Sequence, residues 1–120
     1  MSKRFDRLDV ATSDLADTIR VYQHNFGLVS VREGDEATIA IGDAQIRLRA
    51  GASVSETIAS TGEGLAGVWL EADDLEAAAE ALRKAGAVLE PIRIEHRRRI
   101  LAVDPKSANM VPLYLFDRKV

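Results

Sequence analysis

Cysteine is absent from the 120 residues, so disulfides, thiolate metal sites and cysteine nucleophiles are excluded, and the redox compartment stays open. No apolar run exceeds a few residues, far short of the ~20 that cross a bilayer as a helix. The opening residues carry Lys3 and Arg4, but Asp6 follows and no apolar stretch comes after, so no signal peptide is expected. A cationic excess is missing too. Lys and Arg number 16 against 19 Asp and Glu, a net charge of -3, which leaves no overall field to draw the protein to nucleic acid or to an anionic membrane. No phosphate-cradling glycine loop, nucleotide motif or Ser-His-acid triad is visible; Gly62-Glu63-Gly64 lies in a connecting stretch. A cytoplasmic protein with a small soluble partner is the expectation.

What is present suffices for one compact domain: 47% of the residues are apolar, enough for one core and too little chain for two ordinary domains. Residues 4 to 12 alternate, with Leu8, Val10 and Thr12 on one face and Arg7, Asp9 and Ala11 on the other, as a strand does. Ser13 and Asp14 precede Leu15, Ile19, Tyr22 and Phe26, whose spacing of three and four predicts an amphipathic helix ended by Gly27. Leu28 to Glu33, Ala37 to Ile41 and Ala44 to Ala50 read as strands parted by Gly34-Asp35 and Gly42-Asp43. Residues 51–64 carry no bulky periodic pattern and are rich in Gly, Ser and Thr, as a linker would be. The order then recurs: a strand from Leu65 to Ala72, Asp73-Asp74 as cap, a helix from Leu75 to Ala85 ended by Gly86, and strands at Val88 to Ile94, Arg97 to Val103 and Asn109 to Phe116, with Asp104-Pro105 as the last turn. Asp14-Leu15 aligns with Asp74-Leu75, and Gly27 with Gly86 after one deletion. The chain is an internal duplication, with repeats at 4–50 and 65–117.

This tandem unit resembles the vicinal oxygen chelate superfamily, which includes glyoxalase I, methylmalonyl-CoA epimerase, extradiol dioxygenases and bleomycin resistance proteins. The resemblance is carried by Phe5-Asp6-Arg7-Leu8-Asp9-Val10-Ala11 before Ser13-Asp14-Leu15, by Tyr22 with Phe26-Gly27-Leu28, and by Val103-Asp104-Pro105 leading to Asn109 and Leu113. It implies an α+β fold: two βαβββ modules forming curved mixed sheets around a pocket, helices outside, in a two-fold homodimer. In the metal-dependent members, inward His and Glu residues hold an ion. By the resemblance those positions fall on Arg7 and Gly67 for the histidines and near Arg47 and Pro112 for the carboxylates. Arginines there would repel a divalent ion. His24 belongs to the first helix and His96 to a turn, so neither replaces a ligand. No metal and no other cofactor is expected.

Alternation then names the residues of the pocket face: Arg7 and Asp9, Gln45, Arg47 and Arg49 in the first repeat, and Trp69, Glu71, Met110, Pro112, Tyr114 and Phe116 in the second. Arginine forks with flat aromatic area suit a small anionic organic ligand. Each has a plainer reading. Arg7 pairs with Asp9 or Glu71, Trp69 belongs to the core, Arg47 and Arg49 form a solvated edge face, and the Arg97-Arg98-Arg99 run is split across two faces. Three functions stay open: a metal-free binding protein using Arg7, Gln45, Arg47, Arg49, Trp69, Met110 and Tyr114; a metal-independent isomerase or lyase with Glu71 or Asp9 as general base beside a carbonyl; and a non-catalytic regulatory or assembly subunit.

Overall fold

The structure is a computed structural model and describes residues 3–108 and 111–119. In chain order it contains β1 (Lys3–Ala11), α1 (Leu15–Phe26), β2 (Val31–Glu33), β3 (Glu36–Ile41), β4 (Ala44–Arg49), α2 (Ala52–Thr61), β5 (Gly64–Ala72), α3 (Leu75–Lys84), β6 (Arg93–Glu95), β7 (Arg98–Val103), a single 3-10 turn (Pro105–Ala108) and β8 (Leu113–Asp117). This is the expected α+β class. Two compact units are formed, one of Arg7–Ala66 and the other of Gly67 onward together with the first residues of β1.

In the first unit the strand order is β2-β3-β4-β1, with β4 parallel to β1 and antiparallel to β3. Asp14 caps α1 by accepting a hydrogen bond from the Asp17 amide at 3.0 Å, and Gly27 closes the helix in the left-handed region at φ 67°. Leu15, Ala37, Ile39, Leu48 and Ala50 are buried together between helix and sheet, with Val10, Ile19, Tyr22 and Ile46 packed against them. Phe26 completes the helical stripe in the sequence but is 67% exposed, touching Tyr22 edge-on.

The second unit repeats the plan as β5-β8-β7-β6, with β8 parallel to β5 and antiparallel to β7. Asp74 caps α3 through the Ala77 amide at 3.2 Å, and Leu75, Ala78 and Ala79 bury against Ala72, Leu101, Val103 and Leu115. Asp117, at 2% exposure, ties the last strand to this helix. It accepts from the Leu75 amide at 3.1 Å, the Lys119 amide at 3.2 Å and Arg99 Nε at 2.9 Å, while Arg99 also forks onto Glu76.

Four segments differ from the sequence reading, one of them the strand expected over Asn109 to Phe116, which as β8 begins at Leu113 and leaves Val111 and Pro112 outside it. The presumed irregular linker holds α2, whose only buried residue is Val54; an apolar stripe of little more than Val54 and Ile58 gives almost no periodic signal. The strand expected over Val88 to Ile94 shrinks to β6 preceded by a single Leu89–Val103 bridge, because Pro91 has no amide to donate to a ladder. The strand expected from Leu28 begins at Val31, since the Leu28 amide is used to close α1 on the Tyr22 carbonyl at 3.3 Å.

Removing Asp117's charge leaves Arg99 without its buried partner, so Asp117→Asn should lower stability by about 3 kcal/mol, read as a lower urea midpoint. The Glu76 carboxyl is held down from 4.5 to about 2, chiefly by the Arg99 hydrogen bond. A depressed carboxyl stabilises above its unfolded value and loses that contribution as pH falls toward its folded value. Glu76→Gln should therefore cost clearly less than Asp117→Asn at neutral pH, its side chain being 62% exposed. It should also shrink the acid-induced loss of stability between about pH 4.5 and about pH 2.

Candidate functional site

A strand in either unit gives one face to its helix; the register shows what the other face carries. In the first unit Arg7 sits opposite Gln45, Asp9 opposite Arg47 and Ala11 opposite Arg49, while Thr38 and Glu36 continue the Arg47 and Arg49 rows onto β3. Four of the expected site residues besides Asp9, namely Arg7, Gln45, Arg47 and Arg49, thus share one polar sheet face with it. Arg7 and Asp9 are 8% and 3% exposed and paired, Arg7 Nε donating to Asp9 Oδ1 at 3.0 Å. Arg49 lies 3.9 Å from the other Asp9 oxygen and donates to Glu36 at 3.0 Å. Arg47 is half-buried, and no carboxylate pairs with it among the described residues.

The same face of the second unit is aromatic. Trp69 sits opposite Tyr114 and Glu71 opposite Phe116, with Ile100 beside Phe116 and Ala102 beside Tyr114. Trp69 stacks on Tyr114 at 4.5 Å and meets Phe116 edge-on at 6.2 Å; it is 8% exposed, as a core residue is. Glu71 accepts from Arg4 at 2.9 Å and from Arg118 Nε at 3.2 Å, and the Arg4 hydrogen bond holds its carboxyl below the usual range, which weakens it as a base. Met110 lies outside the described residues. Pro112 precedes β8, and the register makes Tyr114, not Pro112, the counterpart of Arg47: Asp9 pairs with Arg47 as Trp69 pairs with Tyr114.

The residues present do not fit a divalent cation. The first unit offers the guanidinium of Arg7, already engaged by Asp9, and that of Arg47. In the second, Gly67 supplies no donor atom, and a Cβ built there would meet Trp69 Nε1 and Tyr114 Cε2, each at 3.2 Å. Ring atoms occupy the space into which a ligand side chain would have to start. His24 is exposed in the last turn of α1, and His96 lies at a two-residue hairpin tip where it and Arg97 take φ of 49° and 62°.

Sequence reasoning missed Glu63. Its carboxylate accepts from the Ser13 amide at 2.6 Å, Ser13 Oγ at 2.7 Å and Thr12 Oγ1 at 3.3 Å, and its carboxyl is lowered chiefly by the Ser13 amide. With Thr12, Ser13, Asp14 and Asp17 it borders a crevice of about 370 Å³ at the start of α1. The Gly62-Glu63-Gly64 stretch was the only hint, and it carries no spacing that foretells a carboxylate reaching Ser13 from 50 residues away.

The sequence model described as Glyoxalase/Bleomycin resistance protein/Dioxygenase superfamily matches residues 4–105. Among solved structures, a hypothetical protein from Bacillus halodurans C-125 superposes with a TM-score of 0.78 at 19% identity, covering 100% of this chain and 97% of that one. Methylmalonyl-CoA epimerase from Mycobacterium tuberculosis gives 0.70 at 26% identity over 97% of this chain and 88% of that one. A Streptomyces coelicolor methylmalonyl-CoA epimerase in complex with 2-nitronate-propionyl-CoA gives 0.70 at 23%, covering 98% and 95%. No curated protein matches the sequence.

Gly67→Ala tests the aromatic filling. A methyl group 3.2 Å from two stiff, mutually stacked rings forces them apart, so this substitution should destabilise by about 1–3 kcal/mol and shift the emission of Trp69, the only tryptophan. Unchanged stability and emission would mean that the ring pair gives way freely.

Proposed function

The chain belongs to the Glyoxalase/Bleomycin resistance protein/Dioxygenase superfamily, and within it we propose that the protein binds a small anionic organic ligand on the polar sheet face of its first repeat, without a resident metal ion. The observation that carries this reading is Arg47. Three arginines of β1 and β4 lie on that face, and among the described residues the carboxylates Asp9 and Glu36 pair with Arg7 and Arg49. Arg47 is left half-buried between Gln45 and Arg49, with Thr38 beside it across the strand. Its planar fork suits a carboxylate or phosphate oxygen pair, with Gln45 and Thr38 as neutral partners. The working form of the protein is a cytoplasmic homodimer.

The epimerase neighbours, one solved with methylmalonyl-CoA and another with 2-nitronate-propionyl-CoA, favour acyl-CoA thioesters as the first class to test, since these are anionic organic molecules. They also give the enzymatic reading its support: a metal-independent isomerase or lyase. Its two candidate bases are poorly placed for proton abstraction, because Glu71 is held by two arginines and Asp9 is buried in its pair with Arg7. Binding without bond change is therefore the better reading, and a regulatory subunit comes after it.

Thermal-shift screening followed by calorimetry with acyl-CoA thioesters and small dicarboxylates checks this directly. The hit should bind equally well with and without a chelator. Arg47→Gln should weaken it by about 10- to 100-fold, the equivalent of roughly 1.5–3 kcal/mol for a hydrogen bond to a charged group. Glu71→Gln should leave affinity intact. A thioester that is turned over by the native protein and not by Glu71→Gln would replace this proposal with the enzymatic one.

A further inference from the structure

Alternation along β7 separates the basic run of the second repeat. Arg97 is exposed in the hairpin tip, Arg99 turns to the α3 side and pairs with Asp117, and Arg98 joins the aromatic face. There Arg98 meets a second cation on the same ring: the guanidinium carbons of Arg98 and Arg118 stand 5.0 and 5.5 Å from the centroid of Phe116, which is wholly buried. We infer that Arg98 and Arg118, held on Phe116, form an oxyanion subsite of the second repeat, specific for a carboxylate or phosphate group of a small molecule. No part of this assignment depends on Arg47.

Each guanidinium keeps N–H groups to offer a ligand. A ring attracts a cation to its face and leaves the N–H groups along the guanidinium edge available. Arg118 commits Nε to Glu71 at 3.2 Å, and that carboxylate is shared with Arg4. The register neighbour of Arg98 is Glu95, which accepts instead from Arg93 at 2.6 Å. Among the described residues no carboxylate pairs with Arg98, although it is half-buried. Two cations gathered on one ring repel each other, though solvent around the exposed Arg118 screens part of that repulsion. An oxyanion accepting from both would offset that repulsion with charge-assisted hydrogen bonds. The hairpin tip, with its two consecutive positive-φ residues, fixes where Arg98 enters the sheet and so pre-forms its side of the subsite.

Arginine Nε–Hε resonances followed by NMR test the assignment, with the intact chain titrated by inorganic phosphate and, separately, acetate at constant ionic strength in sodium chloride. Saturable shifts of the Arg98 and Arg118 signals are expected, lost in Arg98→Gln and weakened by about tenfold in Arg118→Gln, and retained in Arg47→Gln. Saturation by phosphate alone assigns a phosphate subsite, and saturation by acetate assigns a carboxylate one. Shifts that chloride reproduces, or that survive in Arg98→Gln, would overturn the inference. If Arg98→Gln does not keep the native Trp69 emission, the exposed Arg118→Gln decides alone, and undiminished anion binding by it overturns the inference as well.

Discussion

Everything in this molecule depends on the fact that successive side chains of a strand point to opposite sides while paired strands keep their neighbours in register. In each repeat one set of alternate positions is given to a helix: Val10, Ile46, Leu48, Ala37 and Ile39 under α1, and Leu70, Leu101, Val103 and Leu115 under α3. Hydrophobic burial decides that assignment, because a slip by one residue would place Arg7, Asp9 and Arg47 beneath a helix. The other alternate set is then determined without further choice. It becomes a sheet face with no helix of its own repeat on it, and its chemistry is free to diverge while the fold stays the same.

Divergence is what the two repeats show. Register pairs place Asp9 with Trp69, Arg47 with Tyr114, and Arg49 with Phe116 as equivalent positions. The first repeat fills this face with charge and satisfies most of it by ion pairing; the second fills it with stacked rings and brings cations in from its edges, Arg98 and Arg118 at the ends of β7 and β8 and Arg4 from β1. Both solutions cover surface that a helix does not, but at different cost. Rings gain from apolar contact and stacking geometry, whereas buried charges gain only when every partner is supplied. The absence of a side chain at Gly67 belongs to the aromatic solution, since the rings of Trp69 and Tyr114 take the room a Cβ would need.

The features governed by local spacing were legible in the amino-acid sequence. The duplicated element order, the Asp14 and Asp74 caps, the closing Gly27 and the polar face of Arg7, Asp9, Gln45, Arg47 and Arg49 all follow from periods of two or of three and four, or from side chains that bond within a few residues. What escaped lacks such periods. Helix α2 buries a single residue, Pro91 cuts a strand that composition alone would extend, and Glu63 bonds the residues just before α1 from far along the chain. The match of Pro112 to Arg47 erred by two residues, because counting from the sequence cannot see that β8 starts at Leu113. Alternation already split the Arg97-Arg98-Arg99 run across two faces, but that Arg98 is the one lying over the Phe116 ring is visible only in the sheet.

The Arg7–Asp9 pair is what makes binding, rather than reaction, the proposed role of the first face. A buried ion pair is seldom a gain in stability over apolar residues of the same volume, and removing one member is far more damaging than replacing both. Asp9 is therefore committed: it answers Arg7 at 3.0 Å and stands within 3.9 Å of Arg49. It can still hold two arginines in fixed orientation beside Arg47, which lies in its own register row. The proposed anion binding rests on this pattern: arginines on one face whose described carboxylates are already paired.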